Sequence, residues 1–186
     1  MSDTVKVLGM SGSLREGSYN RGLLRAAEEL APDGMAIGIT DLAPIPFYND
    51  DIRVEGFPPA VAAFRSAIAD ADALLIATPE YNRSVPGVLK NAIDWASRAP
   101  DQPFDGKLIA IMGVSTSALG TALANHHLRQ IFVYLNAIVL PGPEVLVAGA
   151  AGKFDPSGRL IDAPSRDFVR AHLVKLRDLA LRLRRR

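Results

Sequence analysis

Five apolar runs alternate with five amphipathic segments along this chain, and that alternation limits its possible folds more than any other feature. The runs are Val5–Met10, Met35–Thr40, Ala73–Thr78, Leu108–Val114 and Ile138–Leu140, the last with a continuation near Val145–Val147. Between and after them the spacing predicts helices over Arg21–Leu30, Pro59–Ala71, Pro86–Ser97, Leu119–Asn136 and Ser165–Arg184. Strands that alternate with helices pair in parallel, because each crossover helix carries the chain back across a face of the sheet. Ala73-Leu74-Leu75-Ile76-Ala77 is apolar at every position, as a central strand covered on both faces must be. The last helix sets Val169, Leu173, Leu176, Ala180 and Leu183 on one stripe, which predicts that it packs on the sheet.

Five strands in this order fit a flavodoxin-like α/β fold: a three-layer sandwich around a five-stranded parallel sheet of order 2-1-3-4-5. The 186 residues suit one domain, and no repeat or linker divides them. In such a sheet ligands lie outside the carboxyl ends of the strands. The first strand ends in Gly12-Ser13-Leu14-Arg15-Glu16-Gly17-Ser18-Tyr19-Asn20 and leads straight into a helix. Free backbone N–H groups and a helix N-terminus favour an anion there. Arg15 adds a forked cationic donor, and Ser13, Ser18 and Asn20 add neutral ones. The loop has neither the Lys-Ser/Thr ending of a triphosphate loop nor GxGxxG. It suits a terminal phosphate monoester. The alternative is an ordinary polar turn with Asn20 as helix cap.

The third strand ends in Thr78-Pro79-Glu80-Tyr81-Asn82-Arg83-Ser84-Val85-Pro86. Two prolines stiffen this loop, so the N–H groups of Glu80, Tyr81 and Asn82 can point into the site. A flat heteroaromatic ring with acceptors along one edge needs such a row, and Tyr81 can cover its face. Asn82 or Ser84 serves equally well as a cap for the next helix. The fourth strand ends in Gly113-Val114-Ser115-Thr116-Ser117, which resembles a nucleophile elbow but lacks its second glycine. No Asp–His pair is placed to complete a hydrolase triad. His126 and His127 are adjacent on a helix and diverge by about 100°, and His172 is expected to be partly buried or exposed. All three read as structural, and no metal-ligand spacing is present. Asp94 follows Lys90 by four positions and reads as an ion pair; Trp95 reads as packing.

The long segment Asp41–Gly56, with Phe47 and Tyr48, is expected to wall the site. Pro141–Ser157 is a second irregular stretch. A net charge of +1 gives no footprint for nucleic acid. The basic run Arg182-Leu183-Arg184-Arg185-Arg186 reads as a solvated, fraying helix end. The chain has no cysteine, which removes thiol, disulfide and iron–sulfur chemistry and agrees with the cytoplasm. No signal peptide or membrane-inserting segment is read.

Taken together, Gly-Ser-Leu-Arg-x-x-Ser-x-Asn, Pro-Glu-Tyr-Asn-x-Ser-x-Pro-Gly-x-Leu-Lys-Asn-Ala-Ile-Asp-Trp and the serine-rich loop resemble the NADPH-dependent FMN reductase family. The likeness is greatest to its quinone and chromate reductase branch and extends over nearly the whole chain, including Asp101-Gln102-Pro103 and His127-Leu128-Arg129-Gln130. The resemblance implies one FMN-binding domain over residues 1–186. Ser13, Arg15, Ser18 and Asn20, with the backbone of Gly17 and Tyr19, match the phosphate-binding residues. Pro79, Glu80, Tyr81 and Asn82 match the segment holding the isoalloxazine edge, and Ser115 the residue near the ring. In this family NADPH or NADH delivers hydride to flavin N5, and small-molecule acceptors then take the electrons in the same open site. The acceptors are quinones and, less selectively, chromate, ferric complexes, azo or nitro compounds. No side chain then needs to act as an acid or base. A homodimer or homotetramer is implied. This chain carries Ser117 and Thr121 where relatives often have glycine, and Leu123 where they have an arginine of the tetramer contact, whose partners match His126 and Glu144. A flavodoxin-type electron carrier is the alternative; such carriers are usually strongly acidic, and this chain is not.

Overall fold

Alternation along the strands sorts side chains onto two faces of one sheet. The computed structural model describes residues 4–184. The elements run β1 (Val5–Ser11), α1 (Tyr19–Glu29), β2 (Met35–Thr40), α2 (Asp50–Glu55), α3 (Pro59–Asp70), β3 (Ala73–Ala77), α4 (Gly87–Ala96), β4 (Leu108–Val114), α5 (Ala122–Tyr134), β5 (Ile138–Val139), β6 (Val145–Val147) and α6 (Ala163–Arg184). The sheet order is β2-β1-β3-β4-β5, parallel throughout, with β6 also paired to β4. This is the flavodoxin-like arrangement expected from the sequence. In β3, Ala73, Leu75 and Ala77 meet the α1/α6 layer, while Leu74 and Ile76 meet the α3/α4/α5 layer. Each layer therefore buries its own apolar stripe against a fully covered strand.

The fifth strand has the two pieces expected of it: β5 pairs with the start of β4, and β6, the continuation at Val145–Val147, pairs with its end. Three details depart from expectation. Helix α2 forms inside the segment read as loop. Asn49 caps it by accepting from the Asp51 N–H, and Asp50 and Asp51 lie in its first turn. Helix α5 begins at Ala122 because Ser117–Gly120 closes a turn, with Gly120 at φ 61°. The basic C-terminal end does not fray through Arg184, whose guanidinium bonds Asp72 and the Thr4 carbonyl. Arg185 and Arg186 lie outside the described residues. The stripe on α6 is as expected: Val169, Leu173, Leu176 and Ala180 are buried and Leu183 packs beside them.

Gly113, near the end of β4, is a tight spot. A Cβ there would stand well under 3.0 Å from both Thr121 Oγ1 and the Thr78 carbonyl oxygen. Thr121 is fully buried and fills the space that a side chain at 113 would take. Gly113→Ala should cost about 1–3 kcal/mol, read as a lower denaturation midpoint at unchanged m. Thr121→Gly should restore only part of it, because the Thr78 carbonyl is backbone and stays in place.

Candidate functional site

The first loop follows β1 and is braced from within. Ser11 Oγ accepts from the Ser13 N–H at 3.2 Å, and the Ser18 N–H donates to the Arg15 carbonyl at 3.1 Å. Ser18, not Asn20, caps α1, its hydroxyl accepting from the Asn20 N–H at 3.2 Å. Asn20 does other work: its Nδ2 donates to the Val114 carbonyl at 3.0 Å and its Oδ1 accepts from the Val114 N–H at 3.1 Å. This buried amide fastens the first loop to the end of β4. Among the described residues, the backbone N–H groups of residues 14–17 have no acceptor, and the exposed Arg15 guanidinium has no partner. A cationic fork, a helix N-terminus and unpaired N–H groups on one loop form an anion cradle.

The second loop is fixed to α5. Glu80 Oε2 accepts from the N–H groups of Leu123 at 2.9 Å and Ala124 at 3.1 Å, capping a helix that has no side-chain cap of its own. Tyr81 to Ser84 form a tight turn closed by two backbone bonds, with φ 49° at Asn82 and 64° at Arg83. Positive φ at both central residues is what a type I′ turn requires. This corrects one expectation: the Tyr81 N–H donates to the Ser84 carbonyl at 3.1 Å and is not available to a ligand. The N–H groups of Glu80 and Asn82 have no acceptor among the described residues. Neither Asn82 nor Ser84 caps α4, whose N-cap is Pro86; the Ser84 hydroxyl lies 3.0 Å from His127 Nδ1.

The third loop is knitted by its own hydroxyls. Ser115 Oγ accepts from the Ser117 N–H at 3.1 Å, and Ser117 Oγ donates to the Gly120 carbonyl at 3.1 Å. The Ser115 N–H donates to the Val147 carbonyl of β6, so the split edge strand supports this loop. Ser117 thereby ties the loop together. No histidine among the described residues bonds Ser115, which leaves the hydrolase reading without a base.

The three loops meet at one open cleft of about 230 Å³ beyond the carboxyl ends of β1, β3 and β4. It is lined by Ser13, Arg15, Ser18, Tyr19, Asn20, Pro79, Glu80, Tyr81, Val114, Ser115 and Thr116. Every expected site residue is on that wall except Gly17 and Asn82, which sit in the same loops. Val114 and Thr116 were not singled out; as neighbours of Ser115 they follow from its place at a strand end. The segment Asp41–Gly56 does not wall this cleft. Trp95 Nε1 and Asn91 Nδ2 both donate to the Pro46 carbonyl at 2.8 Å, and Asn91 Oδ1 accepts from the Tyr48 N–H at 2.8 Å. These bonds hold the segment on α4; Asp41 alone reaches a neighbouring cleft, with Ser11 and Arg21. Trp95 is core, as expected, and Lys90 pairs with Asp94 at 2.8 Å. His126 is exposed, whereas His172 is buried, a correction to its expected exposure. Among the described residues no His, Asp and Glu gather as metal ligands, and no helix is long and apolar enough to cross a membrane.

The sequence pattern of the NADPH-dependent FMN reductases matches residues 5–152. An NAD(P)H-dependent FMN reductase of Pseudomonas aeruginosa is 54% identical over 184 residues, covering 99% of this chain and 100% of the relative. A quinone reductase of Escherichia coli K12 is 41% identical over 187 residues, covering 99% and 100%. Among solved structures, the flavoenzyme FerB of Paracoccus denitrificans, an NAD(P)H:(acceptor) oxidoreductase, superposes with a TM-score of 0.87 at 32% identity, covering 96% of this chain and 98% of that one.

Proposed function

The chain belongs to the NADPH-dependent FMN reductase family, and from that premise we propose that it holds FMN in the three-loop cleft and reduces quinones with NADPH or NADH. The observation that carries this reading is the unpartnered Arg15 guanidinium beside the open N–H groups of residues 14–17, on one wall of a cleft whose other walls are the Glu80–Asn82 loop and Ser115. The donor set fits the group: a monoester phosphate takes the cradle, and a flat ring reaches the second loop. Bound FMN supplies the redox chemistry, accepting two electrons from a nicotinamide and returning them to an acceptor.

The protein's part is to bind and orient. Ser13, Arg15, Ser18 and the backbone of Gly17 and Tyr19 hold the phosphate. Asn20 contributes mainly by fastening that loop to β4, with one amide hydrogen left over for the ligand. Pro79, the N–H groups of Glu80 and Asn82, and the half-exposed Tyr81 ring hold the isoalloxazine. Ser115, oriented by Ser117, faces the same cleft. No side chain is assigned as acid or base. The openness of the cleft suits acceptors of many shapes, so chromate, ferric complexes, azo and nitro compounds belong to the same proposal after quinones. So do a single domain over residues 1–186, a cytoplasmic setting and a homodimer or homotetramer. The exposed Val133 and Tyr134 on α5 favour association.

The test is a visible absorption spectrum of the purified protein, before and after anaerobic NADPH or NADH. A flavin spectrum that bleaches supports the reductase. One that persists points to an electron carrier, and no flavin uptake even from added FMN ends the proposal.

A further inference from the structure

The Ser84–His127 contact lies outside both the cleft wall and the apolar core, yet it joins the second loop to α5. The turn from Tyr81 to Ser84 is rigid within itself, because two backbone bonds close it. A rigid turn can still swing as a body about its stem. Two ties prevent this. Glu80 caps the backbone of Leu123 and Ala124, and the Ser84 hydroxyl meets His127 Nδ1 at 3.0 Å. Leu123 and Ala124 lie in the first turn of α5 and His127 about one turn further on, so both ties land near the start of the same helix. One tie enters the turn and the other leaves it, with Tyr81 and Asn82 between them. A serine hydroxyl both donates and accepts. The Ser84 tie therefore holds with either tautomer of the ring and with the ring protonated.

Resting on the FMN reading above, we propose that His127 is a positioning residue. Through Ser84 it fixes the turn that presents the Tyr81 ring and the Asn82 N–H to the isoalloxazine, and so sets flavin affinity without touching the flavin. A hydrolase triad would need a carboxylate to orient the imidazole; among the described residues no carboxylate bonds His127. The geometry is that of a strut.

The experiment is a double-mutant cycle on the FMN-loaded protein, with the FMN dissociation constant read by flavin fluorescence and Tm read alongside. Ser84→Ala and His127→Ala should each weaken FMN binding by about 2- to 10-fold. The double variant should bind no more weakly than the worse single one, because both remove the same tie. His127→Asn, whose amide stands near the place of Nδ1, should restore most of the affinity. Ser84→Ala removes one oxygen and is the decisive variant if His127→Ala disturbs α5. Single losses that multiply in the double variant, unchanged affinity in Ser84→Ala, or a fall in Tm alone would each overturn the role. If the wild type binds FMN and the variants match it, only this inference fails. If the wild type takes up no FMN, the reading beneath it fails too.

Discussion

Arg15→Ala protein should bind FMN about 10- to 100-fold more weakly than the wild type. The residue is exposed and has no partner among the described residues, so its removal leaves no protein group unsatisfied and no cavity. The whole effect should therefore fall on the ligand. A hydrogen bond to a charged group contributes about 1.5–3 kcal/mol, and that range gives the expected fold-change. Riboflavin supplies the control. It has the ring and lacks the phosphate, so its affinity should be the same in Arg15→Ala and wild type. Arg15→Lys should recover only part of the loss, because an ammonium offers a point charge in place of a planar fork. The wild-type advantage should also shrink with added salt, since the cradle lies at the surface. Wild-type FMN affinity in the Arg15→Ala protein would show that the phosphate lies elsewhere.

The sheet and the three loops were legible because their signals are local. An all-apolar strand such as Ala73–Ala77, a glycine-serine-arginine turn and a proline-bounded loop each carry their meaning within ten residues. What stayed hidden depends on partners far along the chain. Glu80 reads as a polar loop residue; that its carboxylate caps α5 is fixed by residues 43 positions away or more. Asn20 reads as a donor to a ligand or a cap, and its clamp on Val114 spans 94 positions. The Tyr81 N–H was lost to the ligand because Asn82 and Arg83 both take positive φ. A sequence suggests that for asparagine and not for arginine. Helix α2 is a different case. Asn49 followed by Asp50 and Asp51 is a local cap signal, and only the prolines before it favoured a loop. Asp41–Gly56 left the cleft wall because Trp95, read as simple packing, also has a polar tip that captures Pro46.

Stability should fall as the solution is acidified from pH 6.5 to pH 4, and His172 should account for about 3 kcal/mol of the loss. The residue lies on α6 and is 1% exposed. Nδ1 lies 2.8 Å from the Pro143 carbonyl, an acceptor, so Nδ1 carries the proton of the neutral ring. Nε2 is buried with no partner among the described residues. A second proton there would create a buried cation facing Arg129 of α5 and Lys175 of its own helix. Burial first, then those two cations, push the pKa down from 6.5 to about 4, against the pull of the Pro143 bond. Glu144, 3.6 Å from Arg129, is already engaged in that ion pair. Above pH 6.5 the ring is neutral in both states and its contribution is complete. Between 6.5 and 4 the unfolded chain takes up a proton that the folded chain refuses, so stability declines. Below 4 both states are protonated and the decline from this group stops. Depressed carboxylates such as Asp50, at about 2, and Asp72 add their own losses at lower pH. His172→Asn isolates the histidine: its amide can still donate to Pro143 but does not titrate. Denaturation midpoints from pH 4 to 7 should converge between variant and wild type as pH falls, and an NMR titration of the ring should place its midpoint near 4. A midpoint near 6.5, or parallel pH profiles, would remove the argument. The consequence reaches the site, because Pro143 leads into β6 and the Val147 carbonyl of β6 holds the Ser115 N–H. Charging His172 should loosen the third loop, and FMN should then leave the wild type in acid more readily than it leaves the His172→Asn protein.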